Sequence, residues 1–272
     1  MMIDRSRVTE LWEQTSSMYD SDNAVVRIDD RLVPEVSSFL RSVIEHDTRV
    51  LDIGCGSGKT LLANADQFAS GAGIDDHPPF IEAAESERQR QGVQNVAFHL
   101  TAAHELPFEP GTFDLVFSER GPMPGTSVTL QAALHVLKTD GMIFAETMGE
   151  TQSFETRPFF DLDLRPPDPM TSLEQVTVLF ARNGVEIRSR ASFVRRRWYP
   201  DVYGFLTAYF ASMRYHEVDL KVDDDFLRRL DAYVNAAAND NDELPVTTHT
   251  VWIGGVKSAN PRNYWEWRFF RS

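Results

Sequence analysis

Val50-Leu51-Asp52-Ile53-Gly54-Cys55-Gly56-Ser57-Gly58-Lys59-Thr60 is the stretch that decides how this chain reads. A short apolar run ends in clustered glycines and passes into helix-compatible residues. Arg49 to Ile53 has the pattern of a parallel strand buried on both faces. The glycines permit a tight turn and let the backbone approach a ligand closely. Three ligand-binding turns compete for this pattern. A phosphate-cradling loop needs four residues between its first glycine and Gly-Lys-Thr. Counting back from Gly58 puts Ile53 at that first position, so Gly58-Lys59-Thr60 is read as coincidence. A dinucleotide turn needs Gly-x-Gly-x-x-Gly, and here the third glycine comes one residue early. What remains is Asp-x-Gly-x-Gly-x-Gly, with Asp52 two residues before Gly54.

Outward from this turn, strands and helices alternate. Lys59 to Phe68 is helix-compatible, Gly71 to Asp75 is a second strand, and Pro78 to Gln91 a helix with proline in its first turn. Asn95 to Leu100 and Phe113 to Phe117 read as further strands. A helix around Ser127–Leu137, stopped by Gly141, leads to a strand over Met142–Thr147. Such alternation predicts right-handed crossovers and an open parallel sheet. Beyond it, Ser172 and Gln175 form a capping-box signal for a helix through Phe180, ended by Asn183-Gly184. Val185–Val194 and Pro245–Val256 read as strands, and Asp201–Tyr215 and Asp223–Ala238 as helices. Toward the N-terminus, Val8, Leu11, Trp12, Thr15 and Tyr19 share one helical face. Val33, Val36, Phe39, Leu40, Val43 and Ile44 share another.

The glycine turn resembles motif I of the class I S-adenosylmethionine-dependent methyltransferases, and the resemblance continues in order along the chain. Gly73-Ile74-Asp75 ends its strand with an acid, as that family does. Leu106-Pro107-Phe108, followed by Phe113-Asp114-Leu115-Val116, is similar to the family's LPF…FDLV stretch. Val136-Leu137-Lys138-Thr139-Asp140-Gly141 is similar to its RVLKPGG turn. Trp12 and Tyr19-Asp20 resemble the N-terminal W…YD of the ubiquinone/menaquinone-type branch. The likeness covers roughly residues 8–150.

That resemblance implies an α/β fold: a Rossmann-like, doubly wound, mostly parallel seven-stranded sheet whose last strand is antiparallel. Helical additions come from the N-terminus and from about 195–244. The expected layout is a single domain over 1–272. It comprises a helical lid over 1–46, a cofactor-binding core over 47–150, a substrate-side half over 151–256 and an aromatic tail over 257–272. The implied cofactor is S-adenosyl-L-methionine. Backbone N–H groups of Gly54, Cys55, Gly56 and Gly58 are expected to hold its carboxylate where a helix begins. Asp52, an acceptor only, is expected to orient its amino end. Asp75 offers two oxygens to a ribose diol. Ala102 and Ala103 stand where the family often places Asp-Ala, so the adenine contact falls to the Ala103 backbone. Asp76 replaces a usually apolar neighbour of adenine, and Phe80 is a candidate to supply that packing. Tyr19 is expected near the sulfonium.

Methyl transfer from a sulfonium needs positioning and desolvation more than a general base. The place to look is Ser118-Glu119-Arg120, at the carboxyl end of the fourth strand of the sheet. Glu119 is a candidate proton acceptor or contact for the cofactor's amino end, and Arg120 a candidate anchor for an anionic substrate group. His104 is a candidate base, against the alternative of an exposed loop histidine. The other histidines show no metal-ligand spacing. Arg182, Arg188, Arg190, Arg195, Arg196 and Arg197 concentrate positive charge. They read as a clamp for an anionic substrate or as a charged sheet edge.

Composition narrows the function classes. The chain has 272 residues, 42% of them hydrophobic and 25% charged, as in a globular protein. Lys+Arg 27 against Asp+Glu 41 gives a net charge of −14, which opposes nonspecific nucleic-acid binding. The one cysteine, Cys55, rules out an internal disulfide and a thiolate zinc cluster. No apolar run approaches the ~18 residues of a membrane span, and the opening residues lack a signal-peptide pattern. The expectation is a cytoplasmic enzyme methylating a small-molecule acceptor at oxygen or nitrogen, with a homo-oligomer left open. The alternatives are a methyltransferase of RNA or protein, and a cofactor-binding regulator without turnover. The glycine spacing opposes a nicotinamide enzyme.

Overall fold

The computed structural model describes residues 3–16, 27–29, 36–149, 155–156, 158–160, 172–215 and 218–259. Cα packing divides the chain into two compact units. The larger contains residues 33–149, 171–193 and 250–272, and the other contains 1–32, 150–170 and 194–249.

The larger unit is built on the sheet. Its strands are β2 (Arg49–Ile53), β3 (Ser70–Asp75), β4 (Val96–Leu100), β5 (Phe113–Glu119) and β6 (Leu137–Met148), with parts of β7 (Val185–Tyr199) and β8 (Leu244–Lys257). They lie in the order β7-β8-β6-β5-β2-β3-β4, with β8 antiparallel to β6. Six strands run parallel and one antiparallel, as expected. Chain order reverses between β2 and β5, where Val50 pairs with Leu115 and Asp52 with Phe117. A crevice opens at the carboxyl ends of the strands at such a reversal, which puts Asp52 and Glu119 at its mouth.

Strand alternation separates the two faces of this sheet. Leu51 and Ile53 enter a core with Val116, Leu130, Leu134 and Phe180. Val50 enters another with Leu40, Leu61, Phe117 and Trp252. The helices that cover these faces are α2 (Val36–Val43), α3 (Lys59–Ala63), α4 (Pro78–Gln91), α5 (Ser127–Val136) and α6 (Leu173–Arg182). Their ends follow local chemistry. Proline opens α4 and Gly92, in the left-handed region, closes it. The Ser172–Gln175 capping box forms in full at α6.

Several expected boundaries shift, among them the strand expected over Val185–Val194, which runs on to Tyr199. The helix expected over Lys59–Phe68 ends at Ala63. Asn64, fully buried, turns its amide back onto Thr60 O at 2.7 Å and accepts from Arg41 Nε at 2.9 Å, which anchors the chain where it leaves the helix. The helix expected around Ser127–Leu137, α5, ends at Val136 without reaching Gly141 as its stop, because Leu137 pairs with Phe113 and begins β6 at once. Gly141 belongs to that strand; a Cβ there would lie 2.6 Å from Leu137 Cδ1.

The other unit packs α1 (Arg5–Gln14), α7 (Val202–Tyr215) and α8 (Asp224–Ala237) around an aromatic core that includes Phe160, Phe205, Phe210, Phe226 and Tyr233. Asp4 caps α1 by accepting from Ser6 N at 2.9 Å. The Arg7 guanidinium lies 3.6 Å from the Tyr203 ring centroid, and Trp12 meets Phe210 edge-on at 5.2 Å. β1 (Arg27–Asp29) pairs antiparallel with Arg196–Trp198 of β7, so those arginines are not on an open sheet edge. Arg196 also approaches Glu155 at 3.8 Å, and Glu155 accepts from Thr247 N at 2.9 Å.

Candidate cofactor site

The glycine loop sits between the end of β2 and the start of α3. Its shape is enforced by close contacts. Gly54, at φ +79°, lies against the Ser118–Pro122 loop; a Cβ there would stand 2.7 Å from Pro122 Cδ. Gly58, at φ +73°, would place a Cβ 2.3 Å from the Phe98 ring. Gly56 differs: its φ is +52°, yet a Cβ would meet nothing within 4 Å among the described residues. The loop is thus packed against protein at Gly54 and Gly58 and open at Gly56.

Most of the loop's amides already have partners. Gly54 N and Cys55 N donate to Ile74 O at 2.8 and 2.9 Å, and Gly58 N to Cys55 O at 2.9 Å. Gly56 N donates to Asp75 Oδ2 at 3.0 Å. The expected cradle of N–H groups from Gly54 to Gly58 is therefore spent on holding the loop, and α3, five residues long, adds little dipole. Ser57 N is the loop amide without an acceptor among the described residues. Sequence reading passed over Ser57, because only the folded hydrogen-bond network separates it from its neighbours.

Three carboxylates gather here. Asp52 is 2% exposed, and its Oδ1 has no hydrogen-bond partner among the described residues. Burial pushes its carboxyl well above the usual carboxylate range, and the charges of Glu119 and Asp75 push it further. Asp75 is also buried. It accepts from Gly56 N through Oδ2, and from His77 N through Oδ1 at 2.9 Å. Burial raises its carboxyl, and these two N–H groups offset part of the rise. Glu119 is half-buried, and its Oε2 accepts from Thr60 Oγ1 at 2.7 Å. Burial likewise pushes the Cys55 thiol up, so Cys55 is a packed side chain, not a nucleophile.

The other residues expected at the site differ in burial. Ser118 is fully buried and donates to Ile53 O at 2.6 Å, tying the ends of β5 and β2 together. Arg120 is exposed, with its backbone in the left-handed region at φ +55° and its N–H on Glu146 O at 2.8 Å. Asp76 is exposed, Ala102 half-buried and Ala103 buried. Phe80 is half-buried, its ring 5.1 Å from that of His77. The His104 side chain stands 52% exposed, 3.5 Å from Glu105. Tyr19 and the aromatic tail lie outside the described residues. Arg188 pairs with Glu186 at 2.8 Å, in the larger unit, whereas Arg196 belongs to the other.

A buried carboxylate oxygen without a partner calls for a cationic ligand group. A second buried acid suits a diol, and an open glycine admits a ligand backbone or ring. These features fit S-adenosylmethionine, which carries an ammonium, a ribose and a carboxylate. Among the described residues no group of three His, Cys, Asp or Glu could hold a metal ion. Nor is any helix there long and apolar enough to cross a membrane.

The fold is Rossmann-like, as in solved structures of methyltransferases. The methyltransferase-domain family matches residues 44–162. The chain is 36% identical over 95 residues to the uncharacterized methyltransferase YcgJ of Bacillus subtilis, covering 34% of this chain and 38% of that protein. The crystal structure of YcgJ superposes with a TM-score of 0.62 at 19% identity, over 82% of this chain and 98% of the other. The aklanonic acid methyltransferase DauC of a Streptomyces species is 29% identical over 180 residues, 63% of this chain and 78% of its own. The demethylmenaquinone methyltransferase of Lactococcus lactis is 25% identical over 146 residues, 52% of this chain and 58% of its own. The matched stretch thus covers less than two thirds of the length of YcgJ and of the menaquinone relative. Over residues 44–162 the chain is similar to class I S-adenosylmethionine-dependent methyltransferase domains.

Proposed function

We propose that this chain transfers a methyl group from S-adenosylmethionine to an oxygen or nitrogen of a small-molecule acceptor. The observation that carries the reading is Asp52: a carboxylate 2% exposed, with one oxygen unpartnered, beside a glycine loop. Burying such a charge without a partner is costly, so the site favours a ligand that brings a cation. When bound, S-adenosylmethionine supplies an electrophilic methyl group. Asp52 takes the ammonium, Asp75 the ribose hydroxyls, and Ser57 N the ligand carboxylate. Ala103 N serves the adenine edge, with Phe80 packing on the ring. Glu119 lies at the sheet reversal, where it can hold the amino end or accept a proton. Arg120, exposed on its loop, offers a guanidinium to an anionic acceptor group.

The small-molecule acceptor is supported by the names of DauC and of the menaquinone relative, and by the net charge of −14, which disfavours RNA. The first test is thermal. S-adenosylhomocysteine should raise the melting temperature by mass action, and NAD should not. Stabilisation by NAD alone would sink the cofactor assignment. Transfer of label from S-adenosylmethionine to quinol, phenol and carboxylate acceptors separates an enzyme from a cofactor-binding regulator.

A further inference from the structure

Thr60 is the second residue of α3, and its hydroxyl donates to Glu119 Oε2 at 2.7 Å across 59 residues of sequence. Its own position is fixed from behind. The fully buried Asn64 holds Thr60 O at 2.7 Å, and Arg41 of α2 holds Asn64 Oδ1 at 2.9 Å. Glu119 and Asp52 stand on neighbouring strands. Asp52 pairs with Phe117, and Glu119 lies two residues further along the same strand face, the face that α3 covers. Thr60 takes Oε2 and leaves Oε1 of Glu119 for a ligand. Asp52 Oδ1 is buried and has no hydrogen-bond partner among the described residues.

We propose that Thr60 is a positioning residue that fixes the Glu119 carboxylate, so that Glu119 and Asp52 together seat the ammonium of the cofactor's amino-acid end. This rests on the cofactor reading above. The chemistry favours a hydroxyl in this place. It gives one hydrogen bond and leaves the carboxylate its full charge, whereas a lysine or arginine would neutralise it. Two carboxylates close together repel, and an ammonium shared between them removes the repulsion. Without the hydroxyl, Glu119 regains rotamer freedom that ligand binding must then remove. The seat therefore distinguishes ligands that carry the amino-acid end from those that carry only the nucleoside.

The test is calorimetry on the full chain with two probes. One is S-adenosylhomocysteine. The other is methylthioadenosine, the same nucleoside thioether without the amino-acid end. Thr60→Val keeps the shape and removes the donor. It should weaken S-adenosylhomocysteine about tenfold, because binding must then freeze the freed Glu119 carboxylate, and leave methylthioadenosine unchanged. Thr60→Ser should restore the affinity, and Glu119→Gln should reproduce the valine pattern independently. Equal losses for both probes would assign Thr60 to the shape of the loop and overturn the proposal, as would full S-adenosylhomocysteine affinity in Thr60→Val. A wild-type chain that binds neither probe overturns the cofactor reading, and this proposal with it. A wild-type chain that binds both, beside an indifferent Thr60→Val, overturns this proposal alone.

Discussion

Replacing Asp75 by alanine tests the cofactor site most directly. The carboxylate is 7% exposed and pinned by two backbone donors, Gly56 N at 3.0 Å and His77 N at 2.9 Å. Each oxygen keeps a further lone pair for a ribose hydroxyl. Two such bonds to a charged acceptor contribute roughly 3–6 kcal/mol before costs. The burial that raises this carboxyl takes back part of that sum. Asp75→Ala should therefore weaken S-adenosylhomocysteine by at least about 1.4 kcal/mol, a factor of ten. Gly56 also loses its acceptor, which loosens the crest of the loop and adds to the loss. Calorimetric titration reads the affinity, and a melting curve without ligand verifies that the variant is folded. A folded Asp75→Ala protein with unchanged affinity would refute the argument and place the ribose elsewhere.

Four further outcomes follow from the same geometry. Gly54→Ala should destabilise the protein by about 1–3 kcal/mol in urea, since its Cβ meets Pro122 Cδ at 2.7 Å with φ at +79°. Gly56→Ala has open space around it and should cost only the left-handed backbone, about 1–2 kcal/mol, while its methyl group obstructs the ligand. Asp52 and Asp75 have folded-state carboxyls raised above their ordinary values, chiefly by burial. Their contribution to ligand-free stability is full below the ordinary carboxylate range and is lost as pH rises through the raised values. Urea midpoints against pH should show that loss, and Asp52→Asn should flatten it. Ser118→Ala removes the buried hydrogen bond to Ile53 O at 2.6 Å and should cost about 1 kcal/mol by chemical denaturation.

Local signals were legible where they settle structure on their own. Pro78 and Gly92 bound α4, and the Ser172–Gln175 pair caps α6, because fixed φ angles and a reciprocal hydrogen bond act within one turn. The strand ends were legible too: Asp75 and Glu119 come out near enough to Asp52 for their charges to raise its carboxyl. Less legible were features set by partners far along the chain. The early end of α3 follows from Asn64 meeting Arg41 of another helix. The length of β6 follows from Leu137 finding Phe113. His104, Asp76 and Arg120 share a motif neighbourhood with the site, yet their side chains stand in solvent.

By itself the sequence determined the alternation of strand and helix and the identity of the acids at the strand ends. Hydrophobic period, glycine and proline act locally, and the crossover rule leaves few sheets compatible with them. Only the tertiary structure decided which groups of the loop remain open to a ligand. The amides of Gly54, Cys55, Gly56 and Gly58 look identical to that of Ser57 in sequence. They are consumed by Ile74 O, Cys55 O and Asp75 Oδ2, which arrive largely from the neighbouring strand β3. Likewise, Asp52 owes its unpartnered oxygen, and Glu119 its bond from Thr60, to packing between elements. Hydrogen-bond capacity is written in the residue type, but what is left of it after folding depends on every neighbour that folding brings near.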